Sequence, residues 1–175
     1  SMMMQMNQQF DLAFNFLQNT GTHLFLTGKA GTGKTTFLKK LKEGSPKRMI
    51  VVAPTGVAAI NAGGVTIHSF FQLSFGPYLP SASREADQAK NFTNKFSRDK
   101  INIIRSMDLL VIDEVSMVRA DLLDAISDVL CRYKDRTKPF GGVQLLLIGD
   151  LQQLAPVAKD DEWNLLKEHY PSTFF

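Results

Sequence analysis

Leu24-Phe25-Leu26-Thr27-Gly28-Lys29-Ala30-Gly31-Thr32-Gly33-Lys34-Thr35-Thr36 runs from a short apolar stretch through a glycine-rich loop into residues 35–41, which read as a helix. The spacing is G-x-x-x-x-G-K-[ST], and the strand, loop and helix signals around it agree. Glycines let the backbone curl so that successive N–H groups point inward, and the helix N-terminus adds its partial positive charge. Such a curl is a cradle for phosphate oxygens, and its expected ligand is a nucleoside triphosphate. Gly28, Ala30, Gly31, Thr32, Gly33, Lys34, Thr35 and Thr36 are the expected binding set. Lys34 is placed to reach the β- and γ-phosphates, and the Thr35 hydroxyl to hold Mg²⁺.

The chain has 175 residues, 44% of them hydrophobic, enough for the core of one α/β domain. A formal net charge of +3 permits a polyanionic partner without demanding one. Cys131 is the single cysteine, which excludes an intrachain disulfide and any zinc-ligand spacing. It reads as a small buried hydrophobe, in a protein expected to work in the reducing cytoplasm, on the nucleoid if bacterial. No apolar run approaches the roughly 20 residues of a membrane span. Ser1-Met2-Met3-Met4-Gln5 lacks the basic and apolar regions of a signal peptide and begins on what reads as a cloning remnant. Tyr170-Pro171-Ser172-Thr173-Phe174-Phe175 ends on aromatics with no closing element. The expectation is one domain, 1–175, cut from a longer protein and monomeric.

Apolar residues at Phe10, Ala13, Phe14 and Leu17 predict a helix over residues 7–17. Strands are predicted at 23–27, 49–53, 109–112 and 143–148. A short Ala-rich helix begins at Thr55 or Gly56 and ends at Gly63-Gly64; Thr66 caps another through Phe71. Residues 75–91 are Pro- and Ser-rich and read as a long surface loop. Helices follow at 97–106 and 120–133, the second with Leu122, Leu123, Ile126, Val129 and Leu130 on one face. Short apolar runs joined by helical crossovers predict an α/β fold with a mainly parallel sheet covered on both faces.

Leu109-Leu110-Val111-Ile112-Asp113-Glu114 places two carboxylates at the carboxyl end of a buried strand, the edge where open α/β sheets bind ligands. Asp113 is expected to hold the magnesium with Thr35, and Glu114 to polarise the attacking water as a general base. P-loop ATPases with such a glutamate carry an extra strand beside the loop-bearing one. Strand 143–148 is therefore predicted between 23–27 and 109–112, all parallel. After it, Gly149-Asp150-Leu151-Gln152-Gln153 brings a neutral amide, Gln152 or Gln153, to the same edge to sense the γ-phosphate. The Asn-Lys-x-Asp loop by which GTPases read guanine is missing, because Asn94-Lys95-Phe96-Ser97 lacks the acid, so adenine is the expected base. Gln8 or Gln9, just ahead of the first helix, has the amide to pair with adenine; a frayed polar N-terminus is the bland reading.

Five segments occur in one order: Gly31-Thr32-Gly33-Lys34-Thr35, Ala53-Pro54-Thr55-Gly56-Val57-Ala58-Ala59, Gly63-Gly64-Val65-Thr66-Ile67-His68-Ser69-Phe70-Phe71, Asp113-Glu114-Val115-Ser116-Met117 and residues 149–157. Together they resemble the Pif-type (petite integration frequency) helicases of superfamily one, relatives of RecD. The match runs from about Gln9 to Val157, and Gln9 is taken as the base contact. The closing Gly-Asp-x-x-Gln-Leu-x-Pro-Val pattern selects Gln153, although Ala155 stands where the family usually has a further proline. Phe140-Gly141-Gly142 also looks like the family.

The resemblance implies a RecA-like P-loop NTPase, a three-layer sandwich that drives movement on single-stranded DNA from the five-prime to the three-prime end. It implies Lys34, Glu114 and Gln153 as the catalytic set, and ATP clamped between two RecA-like domains, of which this chain resembles the first. The second domain's arginines, which stabilise charge on the transferred phosphoryl group, have no counterpart here. Pro54, Thr55 and Gly56 would approach DNA phosphates through backbone and hydroxyl groups, with His68 also facing the strand. Beside Ile67 and Phe70 alone, His68 reads as a core histidine. Phe75, Pro77 and Tyr78 suit either base stacking or pinning a loop to the core. The basic residues from Lys90 to Arg105 read as a solvated face. The rival is a nucleotide-gated AAA-type regulatory module without unwinding, which has no need of the Ala-Pro-Thr-Gly and Thr-x-His-Ser segments.

Overall fold

Phe10, Ala13 and Leu17 line one side of a first helix, α1 (Met2–Asn19), which packs on the helix after the phosphate loop, α2 (Lys34–Gly44). A stacked Phe10–Phe37 pair, ring centroids 4.9 Å apart, joins them. The structure is a computed structural model that describes residues 2–27, 33–74 and 96–150, with side chains from Gln8 onward. Gly28, Ala30, Gly31, Thr32 and Gln153, with Phe75, Pro77 and Tyr78, lie outside the described residues.

Strand β1 (Leu24–Thr27) lies between α1 and α2 in the chain. β2 (Met49–Ala53), α3 (Gly56–Ala62), β3 (Val65–Thr66) and α4 (Ile67–Phe71) follow. Then come α5 (Arg98–Ser106), β4 (Leu109–Ile112), a 3-10 turn at Val115–Met117, α6 (Ala120–Tyr133), a second such turn at Pro139–Gly142, and β5 (Gln144–Gly149). Local chemistry sets the helix starts. Thr55, Thr66 and Ser97 accept from the N–H groups of Ala58, Ser69 and Lys100 at 3.2, 3.1 and 3.1 Å, which opens α3, α4 and α5.

The strands form one parallel sheet in the order β1-β5-β4-β2-β3. The predicted insertion of β5 between β1 and β4 is present. Side chains alternate across the sheet. Leu110, Ile112, Leu145 and Leu147 join a core with residues of α4, α5 and α6, while Leu109, Val111, Leu146 and Ile148 join one with α1, α2 and α3. Every position of β4 and β5 is buried, and each such Leu or Ile side chain stabilises the fold by about 1.5–3 kcal/mol. The result is the expected three-layer α/β sandwich.

Several expectations shift. α1 begins at Met2, so Gln8 and Gln9 lie inside the helix and not ahead of it. The apolar spacing marked only the part that packs on α2, and the Met- and Gln-rich residues before it are good helix formers without a start signal. β3 was not expected, being two residues long and hidden between a Gly-Gly turn and the α4 cap. Cys131 is half-exposed, its Sγ donating to the Lys138 carbonyl at 3.1 Å. Lys100 is no simple solvated charge: its Nζ stands 4.1 Å from the Phe70 ring centroid, and burial lowers its pKa. Among the described residues no helix is long and apolar enough to cross a membrane.

A polar network closes the amino end of the sheet. Lys47 Nζ donates to the carbonyls of Leu17 and Thr20 and to Gln144 Oε1, the last two at 2.6 Å. These carbonyls end α1, where a cation opposes the helix dipole. Gln144 Nε2 donates to the Thr22 carbonyl at 2.8 Å, and Asp108 Oδ2 accepts from the Arg48 N–H at 2.9 Å. Burial lowers the Lys47 pKa, opposed by the Asp108 charge.

His23 Nδ1 accepts the Leu145 N–H at 2.9 Å, at the start of the β1–β5 pairing, and burial pushes its pKa below the ordinary value. A base with a depressed native pKa leaves stability untouched above its unfolded value near 6.5 and lowers it as pH falls from there toward the native pKa. The melting temperature is therefore expected to fall between about pH 7 and 5. His23→Gln should flatten that decline; an unchanged pH profile would remove His23 from the account.

Candidate nucleotide-binding and catalytic site

The carboxyl ends of the strands gather the chemistry. Thr27 ends β1 and Gly33 opens α2 in the left-handed region, φ 89° and ψ 10°, a conformation that glycine adopts without penalty. Phe10 of α1 passes 3.6 Å from where a Gly33 Cβ would stand, so the middle of α1 lies beside the start of α2. Gln9, one residue earlier, is exposed there.

Lys34 begins α2 and points to the end of β4. Its Nζ lies 3.0 Å from Asp113 Oδ2 and 3.9 Å from Glu114 Oε1. The Asp113 side chain is only 2% exposed, against 19% for Lys34 and 25% for Glu114. Asp113 Oδ1 is buried with no hydrogen bond, although buried polar groups are rarely left so. Glu114 has φ 52° and ψ 43°, left-handed backbone unusual for a residue with a side chain. Behind it the 3-10 turn is closed by bonds from Met117 N–H to the Glu114 carbonyl and Val118 N–H to the Val115 carbonyl, both 3.0 Å.

Thr35 Oγ1 donates to the Asn61 carbonyl on α3 at 3.3 Å. Its lone pairs stay available as acceptors. Among the described residues no three His, Cys, Asp or Glu side chains cluster as a metal cage. A buried carboxylate with an unpartnered oxygen and one hydroxyl fit a hard divalent ion that takes its other ligands from phosphate and water. The donor set suits Mg²⁺. Lys34, Thr35, Asp113 and Glu114 are thus placed around one edge as the sequence implied, with Thr36 exposed on the first turn of α2.

The second motif pair meets at the same edge. Ala53 of β2 pairs in register with Thr66 of β3, so Pro54-Thr55-Gly56 and Ile67-His68 leave neighbouring strand ends. Thr55 and Gly56 are exposed and Pro54 and His68 half-buried. The Thr55 oxygen already caps α3, which leaves its O–H to donate outward. α3 also turns Val57 and Ile60 to solvent, 72% and 79% exposed. Sequence reasoning missed the Asn61 carbonyl, a backbone group that no side-chain pattern marks.

A model of the PIF1-like helicase family matches residues 4–166. The chain belongs to the PIF1-like helicase family. It is 38% identical over 146 residues to the ATP-dependent DNA helicase PIF1 of Candida albicans, covering 80% of this chain and 15% of that one. Crystal structures of Bacteroides Pif1, one bound to single-stranded DNA and one in complex with ADP-AlF4, are each 48% identical with TM-score 0.72. Those alignments cover 93% of this chain and 36% of each solved chain. The chain thus spans about a fifth or less of the length of the curated relatives it matches. The fold is that of the PIF1-like RecA-type domain.

The ion pair has a measurable consequence. Lys34→Met leaves Asp113 buried without its counter-charge and is expected to lower stability by about 1–3 kcal/mol. Asp113→Asn in that background should recover most of the loss. Chemical denaturation of both single variants and the double measures this; purely additive effects would show that the two side chains do not interact.

Proposed function

We propose that this chain is the ATP-binding and hydrolysing motor domain of a DNA helicase that moves five-prime to three-prime on single-stranded DNA. The observation that carries the reading is the meeting of Lys34 with Asp113 and Glu114 at the carboxyl edge. Support comes also from the family and from its Bacteroides members in complex with ADP-AlF4 and single-stranded DNA.

In this reading Lys34 exchanges Asp113 for the β- and γ-phosphate oxygens, held with it by Gly28, Ala30, Gly31, Thr32, Gly33 and Thr36. Thr35 and Asp113 would hold Mg²⁺, whose charge offsets that of the phosphates. Glu114 takes a proton from water as the water oxygen bonds to the γ-phosphorus and the bond to the β-phosphate oxygen breaks, leaving ADP and phosphate. Gln153 senses the γ-phosphate, and Gln9 pairs with adenine beside the loop. Pro54, Thr55, Gly56 and His68 meet the DNA backbone from adjoining strand ends. An AAA-type switch would leave that second pair of motifs without a use.

ATP in such a motor is clamped by a second RecA-like domain whose arginines supply about 10³–10⁵ in rate in related sites. On its own the chain is expected to bind Mg-ADP and Mg-ATP but turn ATP over slowly, with weak DNA binding that falls steeply with salt. Robust DNA-stimulated turnover by these residues alone would contradict the two-domain scheme.

Binding and chemistry should separate by mutation. Lys34→Ala is expected to weaken triphosphate binding, while Glu114→Gln largely spares it and lowers turnover by about 10²–10⁴-fold in any longer form carrying this domain. Calorimetric binding alongside phosphate release reads both; normal hydrolysis by Glu114→Gln would remove Glu114 from the base's role.

A further inference from the structure

Buried side-chain oxygens elsewhere in the described residues find partners. Ser127 Oγ accepts the Phe140 N–H at 2.9 Å, and both amide atoms of Gln144 are bonded. The buried side-chain atoms without a hydrogen bond there are Asp113 Oδ1, Asp113 Oδ2 and Ser116 Oγ, all from one four-residue stretch. Of these, Asp113 Oδ2 has the Lys34 charge beside it. Ser116 Oγ has no ion pair to explain its burial.

The hydroxyl is not needed for the local fold. The 3-10 turn is closed by the two main-chain bonds from Met117 and Val118. Its path is fixed from the other side by the end of β5, since a Cβ on Gly149 would stand 3.0 Å from Val115 Cγ1 and 3.4 Å from Ser116 N. A turn so confined cannot swing to satisfy its own serine. An orphaned hydroxyl three residues along the chain from an orphaned carboxylate oxygen, on a turn that follows the left-handed Glu114, calls for a polar occupant.

We propose that Ser116 is a positioning residue for the magnesium–nucleotide complex. Its Oγ exchanges a hydrogen bond with the hydration shell that Asp113 and Thr35 share in the reading above, on which this inference rests. That bond fastens the turn and so fixes Glu114 relative to the phosphates. Partners in such an outer shell typically change metal affinity 10–100-fold when removed.

Ser116→Ala, which removes the hydroxyl, and Ser116→Cys, which replaces it by a weakly hydrogen-bonding thiol, are tested with the parent chain by titrating a fluorescent ADP at graded Mg²⁺ and in EDTA. Both variants are expected to need about 10-fold more Mg²⁺ for half-maximal binding, with affinity in EDTA unchanged. Their ligand-free melting temperatures should equal or exceed the parent's, because an unsatisfied buried group has been removed. If the parent shows Mg²⁺-dependent binding and both variants share its Mg²⁺ midpoint, the role of Ser116 is overturned and the functional reading stands. If the parent binds no nucleotide at any Mg²⁺ concentration, both fall.

Discussion

β5 holds β1 and β4 two strand spacings apart, roughly 10 Å, and the arrangement of the carboxyl edge follows from that gap. Lys34 enters from the β1 side and the two acids from the β4 side, so the lysine must cross the end of β5 to come within 3.0 Å of Asp113. The gap gives a triphosphate room between cation and carboxylates. Direct pairing of β1 with β4 would put loop and acids side by side and close it. Burial makes the spacer rigid, because β5 is covered along its whole length and paired on both edges.

The two ends of the sheet obey opposite rules. At the amino end Lys47, Gln144, Asp108 and His23 satisfy backbone groups at the end of α1, just before β1 and β2, and in β5. At the carboxyl end polar atoms are buried without hydrogen bonds and Glu114 is left-handed, a conformation that costs roughly 1–2 kcal/mol for a residue with a Cβ. Such strain persists only where the surroundings over-determine it. Here the 3-10 bonds and the close approach of Gly149 do so. Stability is concentrated at one edge and unspent binding capacity at the other.

Much of this was legible in the sequence because the signals were local or periodic. Thr66 announced its helix as a cap, Thr55 or Gly56 and Ser97 marked the starts of theirs, the stripe on α6 its buried face, and Asp113-Glu114 the inserted strand. The site was readable through motif spacing, which brought Lys34 to the carboxylates. What escaped depended on backbone partners or on packing. Lys47 looks like any loop lysine until the carbonyls of Leu17 and Thr20 are beneath it. Asn61 enters the site through its carbonyl, which its side chain does not advertise. β3 is too short for alternation to register, and Lys100 is taken from solvent by a phenylalanine about thirty residues away. Gly28, Ala30, Gly31, Thr32 and Gln153 rest on the motif alone.

The place of β1 at the rim of the sheet also orders its assembly. Its sheet neighbour is β5, and the Leu145 N–H reaches His23 across 122 positions, whereas β2 and β4 meet across about half that distance, as the Arg48–Asp108 bond does at 60. Closing the longer loop has the higher entropic demand, and during synthesis β5 emerges last of these strands. Of these five strands β1 is made first, and loop closure favours seating it last. The start of α2, which follows β1 in the chain, gains its place at the carboxyl edge only when β5 lies between β1 and β4. A ligand that binds the native state stabilises only what already displays its site. Nucleotide thus acts on the finished sheet and not on the growing one.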